Sequence, residues 1–283
     1  MIASGTAFAE REYNLRAAFP DHVEWFARWA DDSERARGAL RMVRDVRYGT
    51  GPKQTLDLFP AERPRGALLF IHGGYWRALD KNDHSFIASP FVAEGIGVAV
   101  VNYDLCPAVS VAQIAEQCRE AVDWLVHNGA SDGVPAQRLI IGGHSAGGHL
   151  TAMMFATDWK ARGTSSDALV GGVSISGVFD LEPLVEVSFN SDLGLDPQSA
   201  REVSPVYLDP RVRAPLLLAA GAEETGEFIR QSHSLWERWP HCRPPMRDGP
   251  LFVAGKHHSS VLTEFADPHS ELFAATMAMF GNG

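Results

Sequence analysis

Six short aliphatic runs constrain this chain most: ALLFI (67–71), GIGVAVV (95–101), RLIIGG (138–143), LVGGVSI (169–175), PLLLAAG (215–221) and PLFVAG (250–255). Each is apolar at successive positions instead of alternating, so each reads as a strand buried on both faces, as strands of a helix-covered parallel sheet must be. Between them lie stretches of helical period, VAQIAEQCREAVDWLVHNG (111–129), AGGHLTAMMFATD (146–158) and EFIRQSHSLWERW (227–239). Alternation of this kind predicts an α/β fold with a mostly parallel sheet and helices on both sides, and such sheets gather functional loops at the carboxyl ends of their strands.

No repeat or linker divides the 283 residues, and a single domain is expected over 1–283. Residues 10–40 read as helical, and MVRDVRYGTGPKQTLDLF (42–59) reads as a hairpin at a sheet edge. Residues 182–211 carry Pro183, Pro197, Pro205 and Pro210, break the alternation, and read as a lid-like insertion with short helices.

A formal net charge of −10 and singly scattered basic residues argue against nucleic acid as a partner. No run of 18 apolar residues offers a membrane span. The start, MIASGTAFAEREYNLR, lacks a cationic segment followed by an apolar one, so a cytoplasmic protein is expected. Cys106, Cys118 and Cys242 lie far apart without CxxC spacing, which suggests neither a disulfide framework nor a zinc site. A small-molecule substrate, no cofactor and no metal are expected, with a homodimer left open.

Gly143-His144-Ser145-Ala146-Gly147 matches G-x-S-x-G and stands after a strand and before a helix, the setting in which that pattern lifts a serine out of the sheet edge. A serine hydroxyl becomes a nucleophile when an imidazole takes its proton and a carboxylate fixes the imidazole. Downstream, PLLLAAG is followed by Glu223 and Glu224, and PLFVAG by Lys256, His257 and His258. At this stage the two glutamates compete, as do the two histidines. His144 and His149 flank the nucleophile without HExxH spacing and read as structural or rim residues. His72-Gly73-Gly74-Tyr75-Trp76 follows the strand ALLFI, and glycines there free backbone N–H groups to face a developing oxyanion, joined by the N–H of Ala146.

With those motifs in hand, the chain resembles the kynurenine formamidase (arylformamidase) branch of the α/β-hydrolases. The likeness is carried by HGGYW (72–76), DKNDHSF (80–86), VNYDLCP (101–107), GGHSAGGHL (142–150), EREYNLR (10–16), SGVFDLEPL (176–184), EFIRQS (227–232) and HHSSVLTEFADP (257–268). It implies Ser145 as nucleophile, His258 as base and Glu224 as acid, with an oxyanion hole at Gly73, Gly74 and Ala146. It also implies hydrolysis of N-formylkynurenine to kynurenine and formate. The chain departs from that pattern with glutamate where the acid is frequently aspartate, and with Ser259 where phenylalanine often follows the histidine. An aryl leaving group needs aromatic walls, for which Tyr75 and Trp76 are the first candidates, then Trp159, Phe179 and Phe189. The alternatives are a carboxylesterase or amidase for another small carbonyl compound and, more remotely, a ligand-binding protein without turnover.

Overall fold

A computed structural model describes residues 5–245 and 247–281. Residues 1–4, over which the reading of the amino end partly runs, lie outside the described residues.

Eight strands form one sheet: β1 (Val43–Arg47), β2 (Thr55–Phe59), β3 (Gly66–Ile71), β4 (Ile96–Val101), β5 (Leu139–His144), β6 (Leu169–Ile175), β7 (Leu216–Gly221) and β8 (Leu251–Val253). Their order is β1-β2-β4-β3-β5-β6-β7-β8. The first two pair antiparallel and form the edge hairpin, β2 runs antiparallel to β4, and the strands from β4 to β8 are mutually parallel.

Successive residues of the central strands face opposite ways, which explains why the runs are apolar throughout. Leu69, Ile71, Val101 and Ile141 enter one core, with helix Val111–Asn128 above them. Their neighbours Leu68, Phe70, Val100 and Ile140 enter the other, with Phe91, Trp29 and helix Glu271–Met279. Fully burying each such side chain contributes about 1.5–3 kcal/mol. Helix Val111–Asn128 starts where it does because Ser110 and Gln113 form a reciprocal capping box.

The chain runs from β3 outward to β4, then crosses back to β5 on the other side of β3. β3 and β5 are therefore neighbours, with Ile71 opposite Gly143. Loops leaving two strands at such a switch point diverge and open a crevice at their carboxyl ends.

The expected helix over 10–40 is three pieces, Thr6–Tyr13, Leu15–Ala18 and His22–Ala39, interrupted at Asn14 and around Phe19-Pro20. The insertion at 182–211 holds short turns of helix, Glu182–Glu186, Asn190–Leu193, Pro197–Glu202 and Pro205–Tyr207. All three cysteines are free and buried. Among the described residues no helix is long and apolar enough to cross a membrane, and no group of three or more His, Cys, Asp or Glu is arranged to hold a metal ion.

Candidate active site

Ser145 follows β5 directly and precedes helix Ala146–Phe155, with φ 58° and ψ −118°. A non-glycine residue at positive φ is strained, and here the surrounding contacts hold it: its N–H donates to the Ile175 carbonyl at 2.8 Å. The flanking glycines answer to close approach. A Cβ on Gly143 would strike the Gly147 carbonyl, and one on Gly147 the Ile71 carbonyl.

Glu224 lies just past β7 and His258 in the loop after β8. The His258 Nδ1–H donates to Glu224 Oε2 at 2.8 Å. The other carboxylate oxygen, Oε1, accepts from the Gly221 N–H at 3.1 Å and from the Ser176 hydroxyl. The Glu224 side chain is wholly buried, whereas Glu223 is exposed. His257 turns the other way, its Nε2 3.0 Å from Asp21 Oδ2 and its ring stacked on Phe19.

Among the described residues no hydrogen bond joins the Ser145 hydroxyl to the His258 ring, and both border the same cavity. His144 steadies this loop, since its Nε2–H donates to the His258 carbonyl at 2.8 Å. Burial, with the nearby His258 adding to it, pushes the His144 pKa well below its ordinary value. It is thus a neutral ring in a fixed tautomer.

The segment after β3 comes up against the serine. A Cβ on Gly73 would sit 2.8 Å from the His144 carbonyl oxygen and 3.0 Å from Ser145 Cβ, and one on Gly74, at φ +98°, would collide with the Ala78 carbonyl. Only glycine lets the backbone approach this closely. The N–H groups of Gly73, Gly74 and Ala146 have no intramolecular acceptor among the described residues. Behind the loop, the His72 ring stacks on Tyr103 at 4.2 Å, and the Tyr103 hydroxyl donates to the His72 carbonyl at 2.8 Å. The same hydroxyl lies 3.3 Å from the Gly73 carbonyl oxygen, so both carbonyls of this turn are engaged on the Tyr103 side.

Tyr75 borders the cavity, and its hydroxyl donates to the Tyr13 carbonyl at 2.7 Å. Burial first, then the charge of Glu224, raises its pKa well above the ordinary phenol value, so it remains a neutral donor. Trp76 is a correction to the expected aromatic wall. It is fully buried, meets the His149 ring edge-on at 5.0 Å, and does not border the cavity. Gly74, Tyr75 and Trp76 all have positive φ, and this tight curl sends adjacent side chains to places that period-2 or helical reasoning does not foresee. Trp159 and Phe179 are also core residues, while Phe189 reaches the cavity from the insertion.

The cavity encloses about 670 Å³ of empty space, counting the part open to solvent. The amino-terminal segment lines it through Leu15, Phe26 and Trp29 among others, and Phe189 is the insertion's one contribution among the described residues. Residues 14–29 therefore contribute more of the lining than 182–211, where a lid-like insertion was expected. Tyr13 ties that segment down by donating to Glu227 Oε2 at 2.6 Å. Sequence reasoning gave no role to Ser176 or Arg16, although both stand inside stretches that carry the family likeness. Their only local signals were a strand end and a charge among apolar neighbours.

His149 is fully buried, and desolvation pushes its pKa down to about 4. The same cause, with His84 adding to it, pushes His72 to about 3. Between the ordinary value near 6.5 and these lowered values, the unfolded chain binds more protons than the folded one. The contribution of these two rings is therefore fully present above about pH 6.5 and is lost as pH falls through about 4 for His149 and about 3 for His72. Urea unfolding at pH 7, 6 and 5 should show stability dropping by about 1 kcal/mol or more per unit below pH 6, and His149→Gln should flatten that slope.

Carboxyl ends of the parallel strands β5, β7 and β8 deliver serine, acid and histidine in that chain order, beside a glycine loop from β3, and this arrangement defines a serine hydrolase of the α/β-hydrolase class. The family model described as alpha/beta hydrolase fold matches residues 68–228. The chain belongs to that family, on its kynurenine formamidase-like branch. It is 27% identical over 262 residues to the kynurenine formamidase of Salmo salar, covering 89% of this chain and 86% of that one. It is 30% identical over 201 residues to the kynurenine formamidase of Drosophila melanogaster, covering 67% and 66%. A crystal structure of a putative thioesterase from Silicibacter sp. TM1040 superposes with a TM-score of 0.85 at 32% identity, covering 95% of this chain and 99% of the other.

Proposed function

We propose that the protein hydrolyses aryl formamides, with N-formyl-L-kynurenine, cleaved to L-kynurenine and formate, as its substrate. The observation that carries this reading is the likeness to kynurenine formamidases along 89% of the chain. The cavity supports it, since a formyl group needs little room beside Ser145 and an aryl amine finds Tyr75, Phe26 and Phe189.

In this reading His258 Nε2 takes the Ser145 proton as the oxygen attacks the formyl carbon. The oxyanion forms against the N–H groups of Gly73, Gly74 and Ala146, each lowering the barrier by about 3 kcal/mol. Collapse expels the aryl amine, which receives the proton from His258, and leaves a formyl ester on Ser145. Water, deprotonated by the same ring, then releases formate and restores the serine.

A second reading, a carboxylesterase or thioesterase, is favoured by the 32% identical protein described as a putative thioesterase. The two separate on kcat/KM. We expect N-formylkynurenine to exceed p-nitrophenyl acetate by about a hundredfold or more, and the reverse order would favour the second reading.

A further inference from the structure

The chain carries 35 acidic residues against 25 basic ones, yet the cavity holding Ser145 and His258 is bordered by Arg16 and Arg77 and, among the described residues, by no aspartate or glutamate. Three carboxylates bonded to or adjoining its lining residues have hydrogen-bond partners. Asp192 pairs with Arg77, Asp21 with His257 at 3.0 Å, and Glu10 accepts from Asn14 Nδ2 at 3.0 Å. Arg77 is thereby neutralised and held, its guanidinium 5.0 Å from the Phe189 ring centre.

Arg16 differs. It stands on the short helix Leu15–Ala18, is exposed, and has no ion-pair or hydrogen-bond partner for its side chain among the described residues. A free guanidinium at the rim of a mainly apolar cavity attracts a carboxylate, which its planar fork can hold through two N–H groups. An ammonium group entering the same cavity meets no free carboxylate.

We propose that Arg16 is a binding determinant for a carboxylate on the leaving-group side of the substrate, and that the cavity has no counterpart for an ammonium group. The enzyme then selects anionic aryl substrates and tolerates loss of the α-amino group. The inference rests on the aryl formamidase reading, because a formyl acyl group has no place for a charge and any carboxylate must lie on the amine side. Since Arg16 stays in contact with water, screening limits its effect to about tenfold in KM.

The test uses two aryl formamides that differ by a carboxylate, 4-(2-formamidophenyl)-4-oxobutanoate and 2′-formamidoacetophenone, together with the two corresponding aryl acetates. In the natural protein the anionic member of each pair should have the higher kcat/KM by about tenfold. Arg16→Gln should erase that ratio through KM, with kcat and the neutral substrates changed by less than about twofold, and Arg16→Lys should keep part of it. Adding the α-ammonium group, as in N-formylkynurenine, should alter kcat/KM by less than about threefold. An anionic preference untouched by Arg16→Gln overturns the proposal, and so does a preference of about tenfold or more for N-formylkynurenine over its des-amino acid. If the acetates show the Arg16-dependent ratio while no formamide is cleaved, the aryl formamidase reading falls and the carboxylate subsite stands. Formamide cleavage with an unchanged ratio removes the subsite alone.

Discussion

Ser145→Ala should lower kcat by about 10⁶ while leaving the fold intact. In the proposed mechanism the serine contributes the attacking oxygen, and alanine has nothing to put in its place. Removing that one hydroxyl leaves the donors of Gly73, Gly74 and Ala146, so a residue of about 10³–10⁴ over the uncatalysed reaction should persist. Alanine meets the same backbone strain at φ 58° as serine does, and the Ser145 side chain makes no hydrogen bond among the described residues whose loss would destabilise the protein. The thermal midpoint should therefore stay within a few degrees, which separates lost chemistry from lost structure. Single-turnover kinetics on an aryl formamide and on p-nitrophenyl acetate provide the measurement, with a serine-directed phosphonate as control. The phosphonate should label the natural protein at Ser145 and leave the variant untouched. Turnover near the natural level in the variant would end the serine mechanism for every substrate considered.

The parts of this fold that could be read along the chain are those whose cause is local. Leu69 and Phe70 face opposite cores, so a strand between two helical layers must be apolar at both, and the runs were conspicuous for that reason. Gly143, Ser145 and Gly147 were legible because the turn they make tolerates so few alternatives. Glu223 and Glu224 could not be separated in this way. Adjacent residues past a strand end are chemically alike until the turn decides that one points to water and the other beneath His258. The share of the lining that comes from residues 14–29 was not legible for a related reason. Prolines made 182–211 conspicuous, whereas the amino-terminal segment is held by contacts more than 200 residues apart, such as Tyr13 to Glu227 and Thr225 to the Glu12 carbonyl. Nothing near residues 10–30 announces those partners.

Glu224→Gln should cost about 10⁴ in kcat, and Glu223→Gln less than about twofold. The carboxylate of Glu224 accepts on both oxygens: Oε2 from His258, and Oε1 from Ser176 and the Gly221 N–H. A glutamine there must place its carbonyl oxygen where the Ser176 hydroxyl and the Gly221 N–H point, because both are donors. Its amide N–H₂ is then directed at His258 Nδ1, which has to become an acceptor. The proton moves to Nε2, the atom that should receive the Ser145 proton, and the base is disabled without any side chain leaving its place. The loss should appear in kcat for formamides and esters alike, with KM nearly unchanged, because in the proposed mechanism Glu224 acts through the imidazole, and it does not border the cavity. Exposed Glu223 shares none of these contacts, and a large loss on Glu223→Gln with a small one on Glu224→Gln would reverse the assignment of the acid.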